Sequence, residues 1–261
     1  MKRPSYLKCD FHIHTTFSDG KVPLREVVDL FGARQFDVIG ITDHVHDKQY
    51  MEQSEKIDWI TTPFRKYLEI LWTEREYAWE RYEMLLLPGA EFTNNTEHYH
   101  ILALDVKEFI SPDLPVEDIV NEIHRQGGFA IAGHPGTKLS EKGKYDSRHL
   151  WENHEKYGHL FDAWEIANRD DLFNTVGLKR LNYVAGSDFH ERRHLFSWKT
   201  MLYAEKNGES VKAAIRENRN VYIYIERDNK PSALDWHKRS VRGQQCGYTP
   251  KPSPDFWEGR K

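Results

Sequence analysis

The sequence predicts an α/β protein the size of a single barrel, and three observations carry that prediction. Short apolar runs alternate with amphipathic stretches, the pattern of strands interleaved with helices. The length of 261 residues is common for one α/β barrel. Six segments bearing His, Asp or Glu stand at or just beyond the ends of strand-like runs: 10–20, 41–46, 88–93, 98–104, 131–136 and 186–191. In α/β barrels, ligands and catalytic groups gather there because the loops after the strands converge.

Strands are expected at Leu7–His14, Asp37–Thr42, Met84–Glu91, His98–Leu104, Phe129–Ala132, Phe161–Ile166, Tyr183–Gly186, Thr200–Ala204 and Val221–Glu226. Each is a short apolar, β-type run bounded by turn or helix signals. Helices are expected at Leu24–Arg34, Pro63–Glu83, Val116–Arg125, Leu150–Tyr157, Asp171–Lys179 and Ser210–Asn218. Pro63 after Thr61-Thr62 suits a first helical turn, and Gly127-Gly128 suits a helix end near Arg125. In the long helix, Tyr67, Ile70, Leu71, Glu74, Ala78, Trp79 and Tyr82 lie close to helical spacing and are read as core packing. From residue 227 the chain turns to Lys, Arg, Gln, Gly and Pro. The expected organisation is a catalytic body over 1–226 and a poorly ordered C-terminal extension over 227–261.

Composition narrows the function classes. With 37 Lys+Arg, 41 Asp+Glu and a net charge of −4, the chain is not built to hold long nucleic acid by charge. No run of about 20 apolar residues is present, so no membrane span is expected. The opening residues show no apolar h-region, so no signal peptide is expected. Cys9 and Cys246 are too few for a disulfide framework. Cys9 reads as a buried thiol. A cytoplasmic location is the expectation, with no membrane partner and no long nucleic acid.

Fourteen histidines make a single His-x-His unremarkable, since about one is expected by chance in a chain of this length. Three occur, at 12/14, 44/46 and 98/100. Their repeated placement after β-type runs, with Asp or Glu in attendance, carries the signal. Imidazole nitrogen with carboxylate oxygen suits Zn²⁺, Mn²⁺ or Fe, and no Cys joins them. Alternate residues of a strand share a face, so His12 and His14 can hold one ion together, and Asp188 and His190 can project into the same mouth. Asp19 follows in a turn that can swing it back. Glu91 can bridge two cations.

These segments resemble the polymerase and histidinol phosphatase (PHP) superfamily of metal-dependent phosphoesterases, over roughly residues 6–226. Asp10-x-His12-x-His14-Thr15 with Ser18-Asp19-Gly20 resembles its first motif, and Thr42-Asp43-His44 its second. Gly89-Ala90-Glu91 with His100, then His134-Pro135, resembles the third and its companion. Ser187-Asp188-Phe189-His190 resembles the last. The resemblance implies a distorted (β/α)7 barrel with two to three divalent ions (Zn, Mn or Fe) in a trinuclear centre at the strand C-termini. It implies that His12, His14, Glu91 and Asp188 hold the first ion. Glu91, His100 and His134 would hold the second, and Asp19, His44 and His190 the third. His100 is preferred to His98 because an apolar run follows it directly.

The function expected is hydrolysis of a small phosphate ester, a nucleotide or sugar phosphate monoester, by water activated at that centre. Glu91, Asp188, His190 and Arg169 are the expected catalytic groups. Arg169 is the candidate phosphate-binding cation, ahead of Lys138, Arg192 and Arg193. His194, His46 or a bound water is left to protonate the leaving group. Asp10 and Asp43 are open between orienting histidines and bonding backbone, and Glu165 between facing the site and a structural role. His124, His149, His154, His159 and His237 are expected at the surface. Phosphodiester or exonuclease chemistry on short oligonucleotides and histidinol phosphatase are the alternatives. Amide or lactone hydrolysis and an inactive metal-binding relative stand further off. The short Ser-Asp-Gly turn looks more like the stand-alone phosphoesterases than the histidinol phosphatases.

Overall fold

The computed structural model describes residues 4–53, 64–140, 143–218 and 220–227, with the backbone alone at 137–140 and 143–146. The elements in chain order are β1 (Ser5–Ile13), α1 (Leu24–Gly32), β2 (Val38–Ile41), β3 (His44–His46), α2 (Lys48–Gln53), α3 (Phe64–Tyr82), β4 (Leu85–Asn94), β5 (Tyr99–Leu104) and α4 (Val116–Arg125). There follow β6 (Phe129–Ala132), β7 (Thr137–Ser140), β8 (Gly143–Asp146), α5 (His149–Glu152), α6 (His154–Tyr157), β9 (Ala163–Asn168), β10 (Asp171–Leu172) and α7 (Asn174–Leu178). The last are β11 (Tyr183–Gly186), β12 (Trp198–Ala204), α8 (Gly208–Glu217) and β13 (Val221–Ile225).

One sheet runs β10-β9-β6-β5-β4-β2-β1-β12-β13, with β11 on β9 and β3 on β4. It curls so that β1 meets the segment after β11. The His14 amide donates to the Phe189 carbonyl at 2.8 Å, and the Phe189 amide to the His12 carbonyl at 3.1 Å. The result is a curled α/β sheet compatible with a TIM-like barrel. Strict β/α alternation is broken at β4–β5–β6, where both pairings are antiparallel. The turn 95–98 is too short for a crossover helix.

The interior is layered by the two-residue period of strands. Leu85 and Leu87 on β4, Leu104 and Leu102 on β5, Ala163 on β9 and Val184 on β11 belong to one apolar cluster, which α8 joins through Val211 and Ile215. Continuing each strand by the same period reaches Glu91, His100, Glu165 and Gly186. The apolar floor and the polar mouth are therefore successive storeys of the same strands. The other cluster packs α1, α3 and α4 on the outer faces. Val27, Val28 and Phe31 of α1 and Ile119, Val120 and Ile123 of α4 supply it at helical spacing.

Two local features re-aim chain at the mouth. β1 has a register shift against β2 between Asp10 and Ile13. It carries one extra residue there, as a bulge does. Leu7, Cys9 and Phe11 face the floor cluster, whereas after the shift Ile13 packs in the outer cluster. In β4, Pro88 stands where pairing to β2 ends and pairing to β5 begins. Its missing N–H costs no ladder bond there. A Cβ on the next residue, Gly89, would lie 2.4 Å from the Ala103 carbonyl oxygen.

Several expectations shift. The helix expected over Leu150–Tyr157 is two short helices broken at Asn153. Asp171 and Leu172 pair with β9, so that helix begins only at Asn174. β3, α2, β7, β8 and β10 were not anticipated. Trp79, expected in the core, is 39% exposed, and Trp72 is 36% exposed, because α3 turns this edge to solvent. Trp164 is fully buried, as is Cys9, whose thiol burial pushes well up. His124 is not a bare surface group; its Nε2 lies 2.8 Å from Asp162. The Thr61-Thr62-Pro63 cap, Cys246, His237 and the extension beyond Arg227 lie outside the described residues. Among the described residues, no helix is long and apolar enough to cross a membrane.

Candidate metal centre

Glu91 is the hub. It sits at the mouth end of β4 with its carboxylate fully buried, and five imidazoles surround it. Oε1 lies 2.9 Å from His100 Nδ1, 3.3 Å from His12 Nε2 and 3.4 Å from His134 Nε2. Oε2 lies 2.6 Å from His44 Nδ1 and 3.6 Å from His14 Nε2. The two oxygens thus face two different groups of nitrogens, the arrangement a bridging carboxylate requires.

Asp188 forms the second wall. Its Oδ1 is 3.4 Å from His14 Nε2, 3.5 Å from His12 Nε2 and 3.3 Å from His190 Nδ1. Asp19 closes the third side, with Oδ1 3.0 Å from His190 Nε2 and 3.6 Å from His44 Nε2. Four overlapping groups of potential ligand atoms result: His14, Asp19, His44 and His190; His12, Glu91 and His134; His12, His14 and Asp188; His44, Glu91 and His100. All nine residues named as candidate ligands fall in these groups. His98 is exposed on the turn before β5 and joins none of them.

The donors fit a divalent cation. Both ring nitrogens of His14 and Nε2 of His12 are buried and make no hydrogen bond. A buried polar atom left this way is costly unless something else satisfies it. The donors are imidazole nitrogens and carboxylate oxygens with no thiolate, a mixture suited to Zn, Mn or Fe. Electrostatics agree. Burial raises the Glu91 carboxyl, but His44, His100 and His12 overturn that and hold it well below its ordinary value. Burial lowers His44, yet Glu91 beside it holds the imidazole at about 9. Burial, with His190 and His44 nearby, pushes His14 well down. Imidazole protons supply the positive charge this site demands, and a cation would replace them.

The loop carrying Asp19 is pinned by Asp43. Its carboxylate accepts from the Thr15 amide at 2.7 Å, the Thr15 hydroxyl at 2.9 Å, the Ser18 hydroxyl at 2.6 Å and the Tyr67 hydroxyl at 3.2 Å. Asp10 likewise bonds backbone, accepting from the amides of His12 and Ser187. Neither carboxylate orients an imidazole directly. Two contacts to imidazole come from residues that sequence reading missed: His44 Nδ1 lies 2.8 Å from the Thr93 hydroxyl and His134 Nδ1 3.1 Å from that of Ser147. Thr93 is two residues past Glu91 on one strand, so strand period could have found it; Ser147 carried no signal. His134, Asp188 and Arg169 have φ of 23°, 48° and 51°. Such left-handed values in non-glycine residues are strained and gather at functional sites.

Arg169 is at the mouth but engaged. Its Nη2 lies 3.0 Å from Asp188 Oδ2 and donates to the Asp188 carbonyl at 2.8 Å. Arg192 and Arg193 are exposed and paired with Glu26 and Glu191. The Lys138 side chain lies outside the described residues. Burial, with neighbouring histidines or Arg169, pushes His46 and His194 down to about 3. His194 Nδ1 also accepts the His190 amide at 3.1 Å. In this arrangement the charged form of both imidazoles is disfavoured.

The chain matches no family model and no curated protein. Its fold is shared with a solved protein from Bacteroides vulgatus ATCC 8482, described as two-domain and "containing predicted PHP-like metal-dependent phosphoesterase" (TM-score 0.63, 21% identity, 85% of this chain). The chain spans 66% of that protein's length. A protein from Bifidobacterium adolescentis ATCC 15703, provisionally named a metal-dependent phosphoesterase, matches with TM-score 0.46 and 15% identity over 73% of this chain and 90% of its own. An amidohydrolase from Chromobacterium violaceum, solved with sulfate and no metal, matches with TM-score 0.46 and 16% identity over 70% of this chain and 87% of its own. The likeness to the Bacteroides vulgatus protein shows a shared fold.

Proposed function

We propose that this chain is a PHP-type metal-dependent phosphoesterase acting on a small phosphate ester, with a nucleotide or sugar phosphate monoester as its substrate class. The observation that carries the reading is the convergence of nine His, Asp and Glu residues around one buried, shared carboxylate, Glu91. We read the curled sheet as a distorted (β/α)7 barrel and the four groups as a centre for two to three divalent ions (Zn, Mn or Fe). His12, His14, Glu91 and Asp188 would hold one, Glu91, His100 and His134 a second, and Asp19, His44 and His190 a third.

When bound, such cations lower the pKa of water and neutralise charge on phosphoryl oxygens. The chain's own groups do the rest. Glu91 presents one oxygen to His12, His100 and His134 and the other to His44 and His14, and would hold ions through both. Asp188 and His190 close the mouth side, with Asp19 swung in by the Asp43-anchored turn. Arg169 adds a half-exposed guanidinium beside Asp188, whose remaining donors suit a phosphoryl oxygen.

Arg169→Ala is expected to cut kcat/KM for a phosphate ester by about 10–100-fold with metal content unchanged. Unchanged kinetics would remove Arg169 from substrate binding. The function itself is tested by hydrolysis of p-nitrophenyl phosphate and its bis ester with added Mn²⁺. Turnover of the monoester in preference is expected. Preference for the bis ester would move the assignment to phosphodiesters, and turnover of neither by metal-loaded protein would count against phosphoester chemistry.

A further inference from the structure

Glu165 is buried on β9, 1% exposed, and bonds two different candidate ligands at once. One oxygen, Oε1, lies 3.0 Å from His12 Nδ1. The other, Oε2, accepts the His134 backbone amide at 2.6 Å and the Asn168 side-chain amide at 2.7 Å. A carboxylate in this position has only acceptor lone pairs, so the hydrogen between Glu165 and His12 belongs to the imidazole. That puts a hydrogen on His12 Nδ1 and leaves Nε2 as the nitrogen that faces Glu91 and Asp188, at 3.3 and 3.5 Å. Through Oε2 the same residue tethers His134, whose φ of 23° is unfavourable for a side-chain-bearing residue.

The surroundings are shaped for this contact. A Cβ on Gly186 of β11 would lie 2.6 Å from Glu165 Oε1 and 2.8 Å from His12 Cβ. Only glycine lets β11 pass behind the Glu165–His12 pair. Three strands, β1, β9 and β11, therefore meet at one hydrogen bond.

We infer that Glu165, buttressed by Asn168 and accommodated by Gly186, is the positioning residue of the metal centre, aiming the His12 ring and holding the His134 backbone in its strained conformation. The inference rests on the reading of the centre as a metal site. Outer carboxylates of this kind typically change metal affinity 10–100-fold when lost.

The test uses the full chain and Co²⁺ as probe. Glu165→Gln keeps shape but removes the charge. It is expected to weaken Co²⁺ binding by about 10–100-fold and to alter the visible Co²⁺ spectrum, while metal-free thermal stability stays close to the parent's. A purely structural residue would shift that stability and leave the spectrum of the loaded form alone. Co²⁺ affinity and spectrum equal to the parent's would overturn the inference. If Glu165→Gln does not fold, Asn168→Ala decides: weaker Co²⁺ binding supports the inference and equal binding overturns it. A parent protein that binds no Co²⁺, Mn²⁺ or Zn²⁺ would overturn the metal-site reading itself, and the role of Glu165 with it.

Discussion

Glu91→Gln is expected to strip the centre of its ions and lower phosphoesterase activity at least about 10³-fold. The substitution conserves volume, so the apolar floor beneath it is undisturbed. What it removes is a group with acceptor pairs on both sides. Glu91 Oε1 faces His12, His100 and His134, and Oε2 faces His44 and His14. An amide must turn its NH₂ towards one of these groups, and N–H cannot ligate. The charge goes as well, and with it the anion that holds the His44 imidazole at about 9. Elemental analysis of the purified variant and its rate on p-nitrophenyl phosphate check both effects. Retained metal and full activity would remove Glu91 from the hub position.

The largest stability effect is expected away from the ligands, at Lys199. This lysine is fully buried on β12, with Nζ 3.3 Å from Asp10 Oδ2 and 2.9 Å from the Ser197 hydroxyl. Asp10 is also fully buried, and its other oxygen accepts from the His12 and Ser187 amides. Lys199→Met leaves the Asp10 charge buried without its cation. Removing one partner of such a pair costs about 3–5 kcal/mol. For a body of this size the melting temperature falls on the order of 10 °C. Because Asp10 bonds backbone next to two candidate ligands, metal affinity is expected to fall too. Asp10→Leu combined with Lys199→Met should recover part of the loss, since an apolar pair carries no desolvated charge. Denaturant unfolding of both variants checks this. A single variant within about 1 kcal/mol of the parent would mean the pair is not charged in the folded protein.

Much of this was legible in the sequence because chemistry and periodicity coincide at strand ends. Phe129–Ala132 and Tyr183–Gly186 were readable as strands, and Val116–Arg125 as a helix, because their apolar patterns are clean. Six metal-competent segments were readable because His, Asp and Glu rarely follow such runs repeatedly; the choice of nine ligands within them came from the resemblance to the PHP superfamily. What was illegible depends on tertiary placement. The β1 bulge has no local signature, yet it decides which face His12 and His14 share. Trp79 has core composition and helical spacing, but its edge of α3 meets solvent. Lys199 reads as a surface charge until β1 and β12 pair and bury it against Asp10. Arg169 was found at the mouth, but its pairing with Asp188 could not be read from a strand pattern. Glu165 was visible as a carboxylate on a strand; only the approach of β1 and of the segment after β6 gives it two ligand partners.

The most direct test is the number of metal ions per full-length chain, by elemental analysis after loading with Mn²⁺, Zn²⁺ or Fe²⁺ and removal of free metal. The arrangement around Glu91 predicts two to three ions per chain. No retained ion under any of these conditions would contradict the assignment of the centre and the function built on it.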